Sequence, residues 1–331
     1  MSGGSSGPRA DDDPEDAGYD AFSHDDEARD GAVASTSGNR AVAAAFDALR
    51  IGRADLALDL ARRAAAALPR DPLARIAISA AMLELGDKDG ALAAAKDAAA
   101  LGPESATAVG FLGYVQFRRG SLHDAEASLL EALRLDASAP ELWRRYAEVV
   151  RVAGDLRKAE RLARRALELA PDSAEGQVLL SEVLAERSKL RPAVAAAEEA
   201  MRLAPNDEES HAVMGRRFLQ TGRPFRARVL LREAARLEPE DRSNVEHFLL
   251  ADRSCRPVAL PHYYGALLAE KIPGGFIGLW IGALGVSFAL KAAGQGVLSG
   301  RFLTAYMIYC IYTWVAGPLT TFWIKIFPPK F

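Results

Sequence analysis

The sequence has few of the residues that build disulfide frameworks, metal sites or active sites. Of its 331 residues only two are cysteines, Cys255 and Cys310, which lie far apart, so we expect no disulfide framework and a reducing compartment. No phosphate loop, dinucleotide fingerprint or nucleophile elbow occurs. The five histidines are scattered, and none has metal-ligand spacing to a cysteine or a carboxylate. They are His24, His123, His211, His247 and His262. We therefore predict no catalytic residue, no metal, no cofactor and no enzymatic activity.

Lysine is scarce as well, since only eight of the 41 basic residues are lysine, whereas alanine is abundant. GC-rich bacterial genomes often impose this bias. The basic residues form no clustered stripe of the kind that phosphate contacts require, so we predict no nucleic-acid partner.

The first segment, residues 1–37, lacks apolar residues that could form a core. Residues 1–40 carry a net charge of -7. This composition predicts a disordered acidic tail, which either competes for a basic partner surface or only improves solubility. No basic stretch followed by an apolar one occurs here, so we expect no signal peptide.

A 34-residue period organises residues 38–241. Prolines mark it at Pro69, Pro103, Pro171, Pro205 and Pro239, with Ala137 at the one vacant place. Numbering each repeat so that this place is position 32 gives six repeats, which begin at Gly38, Pro72, Ala106, Pro140, Ala174 and Glu208. A fixed period of this size predicts a solenoid of helix pairs.

Each repeat contains the same small residues. Alanine stands at position 20 and at position 27 of all six, where two helices must approach closely. Five repeats have glycine at position 15, which suits a helix C-terminus with positive φ, and Ser188 is the exception. After the proline stop, pairs such as Asp172 with Glu175 and Asn206 with Glu209 have capping-box spacing. The pattern predicts helix A, a turn, helix B and a stop.

These features resemble the tetratricopeptide repeat (TPR) family. The family pattern has tryptophan, leucine, glycine and tyrosine at positions 4, 7, 8 and 11; Trp143 matches position 4, and Leu112 with Gly113 matches positions 7 and 8. The first repeat departs most, with alanine at all four places. The resemblance implies an all-α, right-handed superhelical solenoid of helix-turn-helix repeats that binds proteins.

The predicted domains are the tail (1–37), six repeats with a capping helix (38–252), a linker and juxtamembrane segment (253–271), and a two-helix transmembrane anchor (272–331). The capping helix is expected at residues 243–252, where Ser243 and Glu246 have capping-box spacing.

In this family, positions 2, 5, 9 and 12 of the A helices line a groove. The resemblance therefore implies a partner-binding groove formed by Tyr114, Phe117, Arg144, Glu148, Arg151, Glu175, Glu182 and Arg216. This mixture suits an extended or helical peptide with apolar and charged side chains. Alternatively, the aromatic residues pack between helices and the charged residues form a solvated face. No repeat has the lysine at position 5 and asparagine at position 9 with which co-chaperone members bind a C-terminal carboxylate, and Glu148 after Arg144 disfavours that role.

Two uncharged apolar runs follow, Ile272 to Leu290 and Phe302 to Ile324. As helices they would be about 28 and about 34 Å long, enough to cross a hydrocarbon core of about 30 Å. We predict a hairpin that contacts the bilayer through residues 272–324, kinked at Pro318, with Tyr263, Tyr264, Trp314 and Trp323 as interface anchors. The alternative is a pair of buried core helices.

A stripe of small residues in the first run, Gly274, Gly278, Gly282 and Gly285, predicts close packing of transmembrane helices, either on the second helix or on another subunit as a homo-oligomer. More basic residues flank the two ends of the hairpin than its loop. This asymmetry predicts a multi-pass protein of a bacterial inner membrane whose repeats are cytoplasmic.

The leading functional hypothesis is a membrane-anchored scaffold or adaptor whose groove binds a peptide or helix of a partner protein. The alternative is an accessory subunit of a membrane transporter or membrane enzyme complex, in which the hairpin is the functional part.

Overall fold

The computed structural model describes residues 36–256 and 259–326, except the side chains at 276, 313, 314 and 316–326. The predicted acidic tail lies almost entirely outside these residues, as do Trp314, Pro318 and Trp323 as side chains. All regular structure in the described part is helical. The chain divides into two compact parts, residues 1–149 and 150–331.

The N-terminal part contains three complete helix pairs and the A helix of repeat four, which continues across residue 149. Its helices are α1 (36–50), α2 (Ala54–Ala67), α3 (Pro72–Glu84), α4 (Lys88–Leu101), α5 (Ala106–Arg119), α6 (Leu122–Leu135) and α7 (Pro140–Val152).

The C-terminal part contains the remaining repeats and the helices that follow them. These are α8 (Leu156–Leu169), α9 (Ala174–Glu186), α10 (Leu190–Leu203), α11 (Glu208–Gln220), α12 (Pro224–Leu237), α13 (Arg242–Ser254), α14 (Leu260–Glu270), α15 (Gly275–Ala292) and α16 (Gly296–Ile326). The predicted helix pairs are therefore present in both parts.

The repeated alanines form the contacts within the pairs. All twelve at positions 20 and 27 are buried, from Ala57 and Ala64 in repeat one to Ala227 and Ala234 in repeat six. Glycine at position 8 meets the same restriction, because a Cβ on Gly113 would lie 2.8 Å from Leu129 Cγ. Small side chains at these positions are what allow helices A and B to pack so closely.

The turns confirm the role predicted for position 15. Its five glycines have φ between 73° and 94°, and Ser188, the exception, has φ of 58°. The serine thus adopts the same left-handed conformation without the freedom of glycine, which costs it free energy.

The helix starts differ from the predicted capping boxes by one or two residues. Ser173 caps α9 by accepting a hydrogen bond from the Gly176 amide at 3.0 Å, and Asp207 caps α11 through the Ser210 amide at 2.9 Å. Likewise α13 is capped by Asp241 rather than Ser243. In α9 and α11 a side-chain oxygen one residue after the predicted cap accepts from a first-turn amide, and in α13 one two residues before it does so.

The segment 253–271, predicted as a linker, contains α14, which packs on repeat six. Tyr263 Oη donates a hydrogen bond to the Leu219 carbonyl, and Tyr264 Oη donates one to the Gly222 carbonyl at 3.3 Å. In addition, Tyr309 Oη on α16 donates to the Pro261 carbonyl of α14 at 3.4 Å. Within the C-terminal part, α14 thus connects the repeats to the final helix pair.

Helices α15 and α16 form an antiparallel pair. Ser287 and Ser299 share a hydrogen bond of 2.7 Å between their hydroxyl oxygens, and the Trp280 and Tyr306 rings meet edge to face. Among the residues that the structure describes, no helix combines the length and the hydropathy that crossing a membrane requires. The helical hairpin is present, but its transmembrane character is not supported.

The glycine stripe does not lie against α16 along its length. A Cβ added at Gly282 or Gly285 would meet nothing within 4 Å, and Gly278 is close only to its own preceding turn. Gly274 has left-handed φ at the start of α15. Among the side chains of α15 that the structure describes, Ala283 and Ser287 are the buried ones. The predicted packing of the stripe on α16 is therefore not made at Gly282 and Gly285, and packing on another subunit stays a prediction.

Candidate partner-binding groove

The predicted groove residues fall in both compact parts of the chain, and each set lies on successive A helices. Tyr114 and Phe117 are on α5, and Arg144 and Glu148 are on α7; all four are half-buried. In the C-terminal part, Arg151, Glu182 and Arg216 are half-buried and Glu175 is exposed. Partial exposure leaves most of these side chains accessible and restricts their conformations.

Tyr114 is the centre of a cluster of aromatic rings and guanidinium groups in the N-terminal part. The Arg145 guanidinium lies over its ring, 4.8 Å from the centroid, and Arg118 Nη1 donates to its hydroxyl at 2.5 Å. The Phe111 ring packs beside it at 5.8 Å. Each cation–π contact contributes about 0.5–1 kcal/mol at an exposed site, so the cluster favours this orientation of the Tyr114 ring. Arg145, at position 6, was not among the predicted groove residues.

Arg144 pairs with Glu141 on its own helix. Arg144 Nε and Nη2 donate to the two carboxylate oxygens at 2.8 and 2.7 Å, and Arg145 Nε donates to Oε1 at 2.6 Å. Burial raises the pKa of Glu141, but the hydrogen bonds and charges of the two arginines outweigh it and hold the pKa below its usual range. Two arginines thus share one carboxylate on α7.

In the C-terminal part, Glu182 lies between two arginines from different helices. Arg216 Nη2 donates to Glu182 at 2.8 Å, and Arg151 Nη2 lies 3.7 Å from the same carboxylate. Arg151 Nη1 also donates to Glu186 at 2.6 Å. The side chains of Arg151, Glu182 and Arg216 are 19–24% exposed, so these pairs are partly removed from water and stronger than ordinary surface pairs.

Arg217 is a further member of this cluster that the groove positions did not predict. Its side chain is buried, with 4% of the residue exposed, and Nη1 donates to Gln220 at 2.6 Å. Burial lowers the pKa of Arg217 to about 10, the charge of Arg216 acts in the same direction, and Glu182 and Glu186 oppose them. Within the described residues, Nε of Arg217 and Nε of Arg151 have no hydrogen-bond partner.

Helix α13 also presents side chains at groove positions, although the sequence predicted only a cap. Phe248 closes the last core cluster, whereas Leu249 and Leu250 are exposed and line an open depression of about 300 Å³ with Glu246 and Arg253. If the repeat numbering is continued into a seventh unit that starts at residue 242, Glu246, Leu250 and Arg253 fall at positions 5, 9 and 12. The sequence alone could therefore have identified them as groove residues.

Metal-ligating residue types do not cluster in the part of the chain that the structure describes. No group of three or more histidine, cysteine, aspartate and glutamate residues is placed to hold an ion there. The arrangement of charged and aromatic side chains suits recognition of another molecule through hydrogen bonds and stacking.

Two family models, both described as tetratricopeptide repeat, match residues 81–140 and 140–183. No curated protein matches the chain.

Several solved structures share the fold. A chain of the APC/C hetero-tetramer Cut9–Hcn1 superposes with a TM-score of 0.56 at 19% identity over 65% of this chain and 43% of that one, so this chain spans less than half of it. A tetratricopeptide repeat protein from Parabacteroides merdae superposes with a TM-score of 0.56 at 15% identity, over 65% of this chain and 84% of that one. Pseudomonas aeruginosa PilF superposes with a TM-score of 0.50 at 16% identity, over 64% of this chain and 97% of that one. At these identities the likeness concerns the fold alone. The chain is thus an all-α repeat protein of tetratricopeptide-like fold, and its residues 81–183 match the models of that family.

Proposed function

We propose that this protein is a scaffold or adaptor that binds a peptide or helix of a partner protein along its A helices. The observation that carries the proposal is the Tyr114 cluster, in which Phe111, Arg118 and Arg145 hold a half-buried ring at a groove position. A ring held in this way loses little conformational entropy on binding, and tyrosine and arginine are the residues that most often dominate protein interfaces.

The fold supports the same function. Repeats of this kind present successive helices side by side, and extended surfaces of that sort bind proteins in other solenoids. The matches to tetratricopeptide repeat models support the class of activity, not the identity of a partner.

The groove is tested by affinity purification of the full chain from the cells that express it. We expect Tyr114→Ala/Arg151→Ala to recover its partners at least about tenfold less well than wild type, as is usual when two central interface residues are truncated. The matched control, Leu130→Ala/Arg165→Ala, changes one exposed residue on each of two B helices and should recover them normally. Equal recovery by both double variants would remove the groove from the proposal.

We extend the proposal to membrane attachment through the final helix pair, with the repeats on the cytoplasmic side of a bacterial inner membrane. The apolar runs from Ile272 to Leu290 and from Phe302 to Ile324 support it, as do large exposed apolar side chains on α15 and α16: Ile277, Ile281, Phe288, Val297, Ile308 and Ile311. In a density gradient the full chain should float with membranes after salt and alkaline washes. Recovery of the washed chain away from the membranes contradicts attachment.

One observation favours the alternative, an accessory subunit of a membrane complex in which the helix pair is the active part. Hydrogen bonds from Tyr263 and Tyr309 join α14 to repeat six and to α16, so the pair is connected to the repeats through a packed helix. Replacing residues 272–331 with an unrelated membrane anchor distinguishes the adaptor from the accessory subunit. The adaptor retains its activity after this exchange, whereas the accessory subunit loses it.

A further inference from the structure

Arg217 occupies a position that is apolar in the neighbouring repeats. Position 10 of the A helix holds Ala81, Val115, Val149 and Val183 in repeats two to five, and all four are buried. Repeat six has arginine there, and it is buried to the same degree. A long charged side chain thus replaces a small apolar one without leaving the interior.

Positive charge exceeds negative charge among the groups that interact with Arg217 and with its neighbours. The groups that act on it are Arg216, Glu182 and Glu186, and Arg151 pairs with both glutamates. Among the groups that these contacts name, three arginines face two carboxylates, an excess of one positive charge. Nε of Arg151 and Nε of Arg217 are also left without acceptors among the described residues.

Such an arrangement is costly for stability alone. A buried guanidinium with incomplete pairing carries a desolvation penalty, and apolar residues of similar volume are often equally or more stabilising. The valines of the preceding repeats are that apolar solution within this chain. A ligand with one negative charge would supply the missing charge and an acceptor for guanidinium N–H groups.

We propose that Arg151, Arg216 and Arg217 form a binding site for the carboxylate of an aspartate or glutamate side chain in the partner peptide. Arg151 and Arg216 contact the carboxylate, because they are partly exposed. Arg217, the next residue after Arg216 on α11, is buried and acts through its charge, which the low local dielectric makes effective at short range. The proposal rests on the groove function and specifies one feature of its ligand.

The test is a selection of random 12-residue peptides, displayed with their C-termini fused, on the immobilised full chain. Because fusion removes the C-terminal carboxylate of the peptide, only aspartate and glutamate side chains can supply a carboxylate. We expect the retained peptides to share one aspartate or glutamate. Changing it to the corresponding amide should weaken binding to the wild-type chain about tenfold or more, as for a hydrogen-bonded charge.

The matched variants are Arg217→Val and Arg217→Lys. The first introduces the valine that repeats three to five have at this position, and the second keeps the positive charge. In Arg217→Val the difference between the acidic peptide and its amide should fall below about twofold, while the thermal midpoint stays unchanged or rises. Arg217→Lys should retain most of the difference. If Arg217 only stabilises the fold, the valine variant should show the opposite: a lower thermal midpoint and an unchanged preference for the acidic peptide over its amide.

The outcomes separate this proposal from the groove function. Peptides that bind but share no acidic residue, or whose preference for the acid survives Arg217→Val, overturn the carboxylate site and leave the groove intact. If the wild-type chain retains no peptide, both fail. If Arg217→Val does not fold, Arg216→Gln decides, because loss of the acid preference is expected there and its persistence overturns the site.

Discussion

Ser188 is in the left-handed backbone conformation that its counterparts in the other repeats adopt as glycine. Its φ is 58°, and the five glycines have φ between 73° and 94°. A side chain in this region costs about 1–2 kcal/mol, whereas glycine loses more backbone entropy on folding, by about 0.4–1 kcal/mol. The turn between α9 and α10 therefore has a backbone strain that a single substitution can remove.

We expect Ser188→Gly to raise the free energy of unfolding by about 0.5–1 kcal/mol, the difference between those two effects. The reciprocal control is Gly120→Ala. A Cβ there meets nothing within 4 Å, so only the backbone is strained, and we expect a loss of about 1 kcal/mol. Urea denaturation followed by circular dichroism measures both. A less stable Ser188→Gly variant would show that the serine side chain contributes contacts that outweigh its strain.

At the scale of the element, the A helices α9 and α11 begin with a polar side chain that the sequence pattern placed one residue too early. Two adjacent polar residues follow the proline stop at Asp172 and Ser173, and again at Asn206 and Asp207. Both members of each pair are good capping residues. The backbone decides between them: Ser173 is extended, with φ of -78° and ψ of 108°, and its hydroxyl faces the Gly176 amide.

Ser173→Ala should therefore lower the free energy of unfolding by about 1 kcal/mol, because the Gly176 amide loses its acceptor. The neighbouring Asp172→Ala, which leaves that hydrogen bond in place, should change it by less than about 0.5 kcal/mol. Denaturation midpoints of the two variants can be compared directly. A larger loss for Asp172→Ala would return the cap to the position that the sequence pattern indicated.

At the scale of the whole molecule, the regular part of the sequence predicts the fold and the irregular part carries the candidate sites. Alanine at positions 20 and 27 predicts close approach of helices A and B, and glycine at position 15 predicts a turn with positive φ. Both roles are steric and can be recognised without knowing the surrounding structure. Arg217 could not be predicted in this way, since its burial and charge balance depend on Glu182 and Glu186 from another helix.

The segments after the repeats show the same difference. The sequence identifies the apolar runs of α15 and α16, but it does not indicate which face of α15 packs on α16. Ser287 does so through its hydrogen bond with Ser299, whereas Gly282 and Gly285 do not. Similarly, Tyr263 resembles an interface anchor in sequence, whereas in the structure its hydroxyl bonds the Leu219 carbonyl of repeat six. Faces and partners of amphipathic residues are settled by tertiary packing, which one sequence does not encode locally.

Site-specific photocrosslinking tests the groove most directly. A benzophenone amino acid at Phe117, a half-buried groove position on α5, is compared in cells with the same group at Leu130, which is exposed on α6. A partner that binds along the A helices should form an adduct from position 117 and not from position 130. Adducts of equal yield from both positions, or from position 130 alone, would contradict binding in the groove.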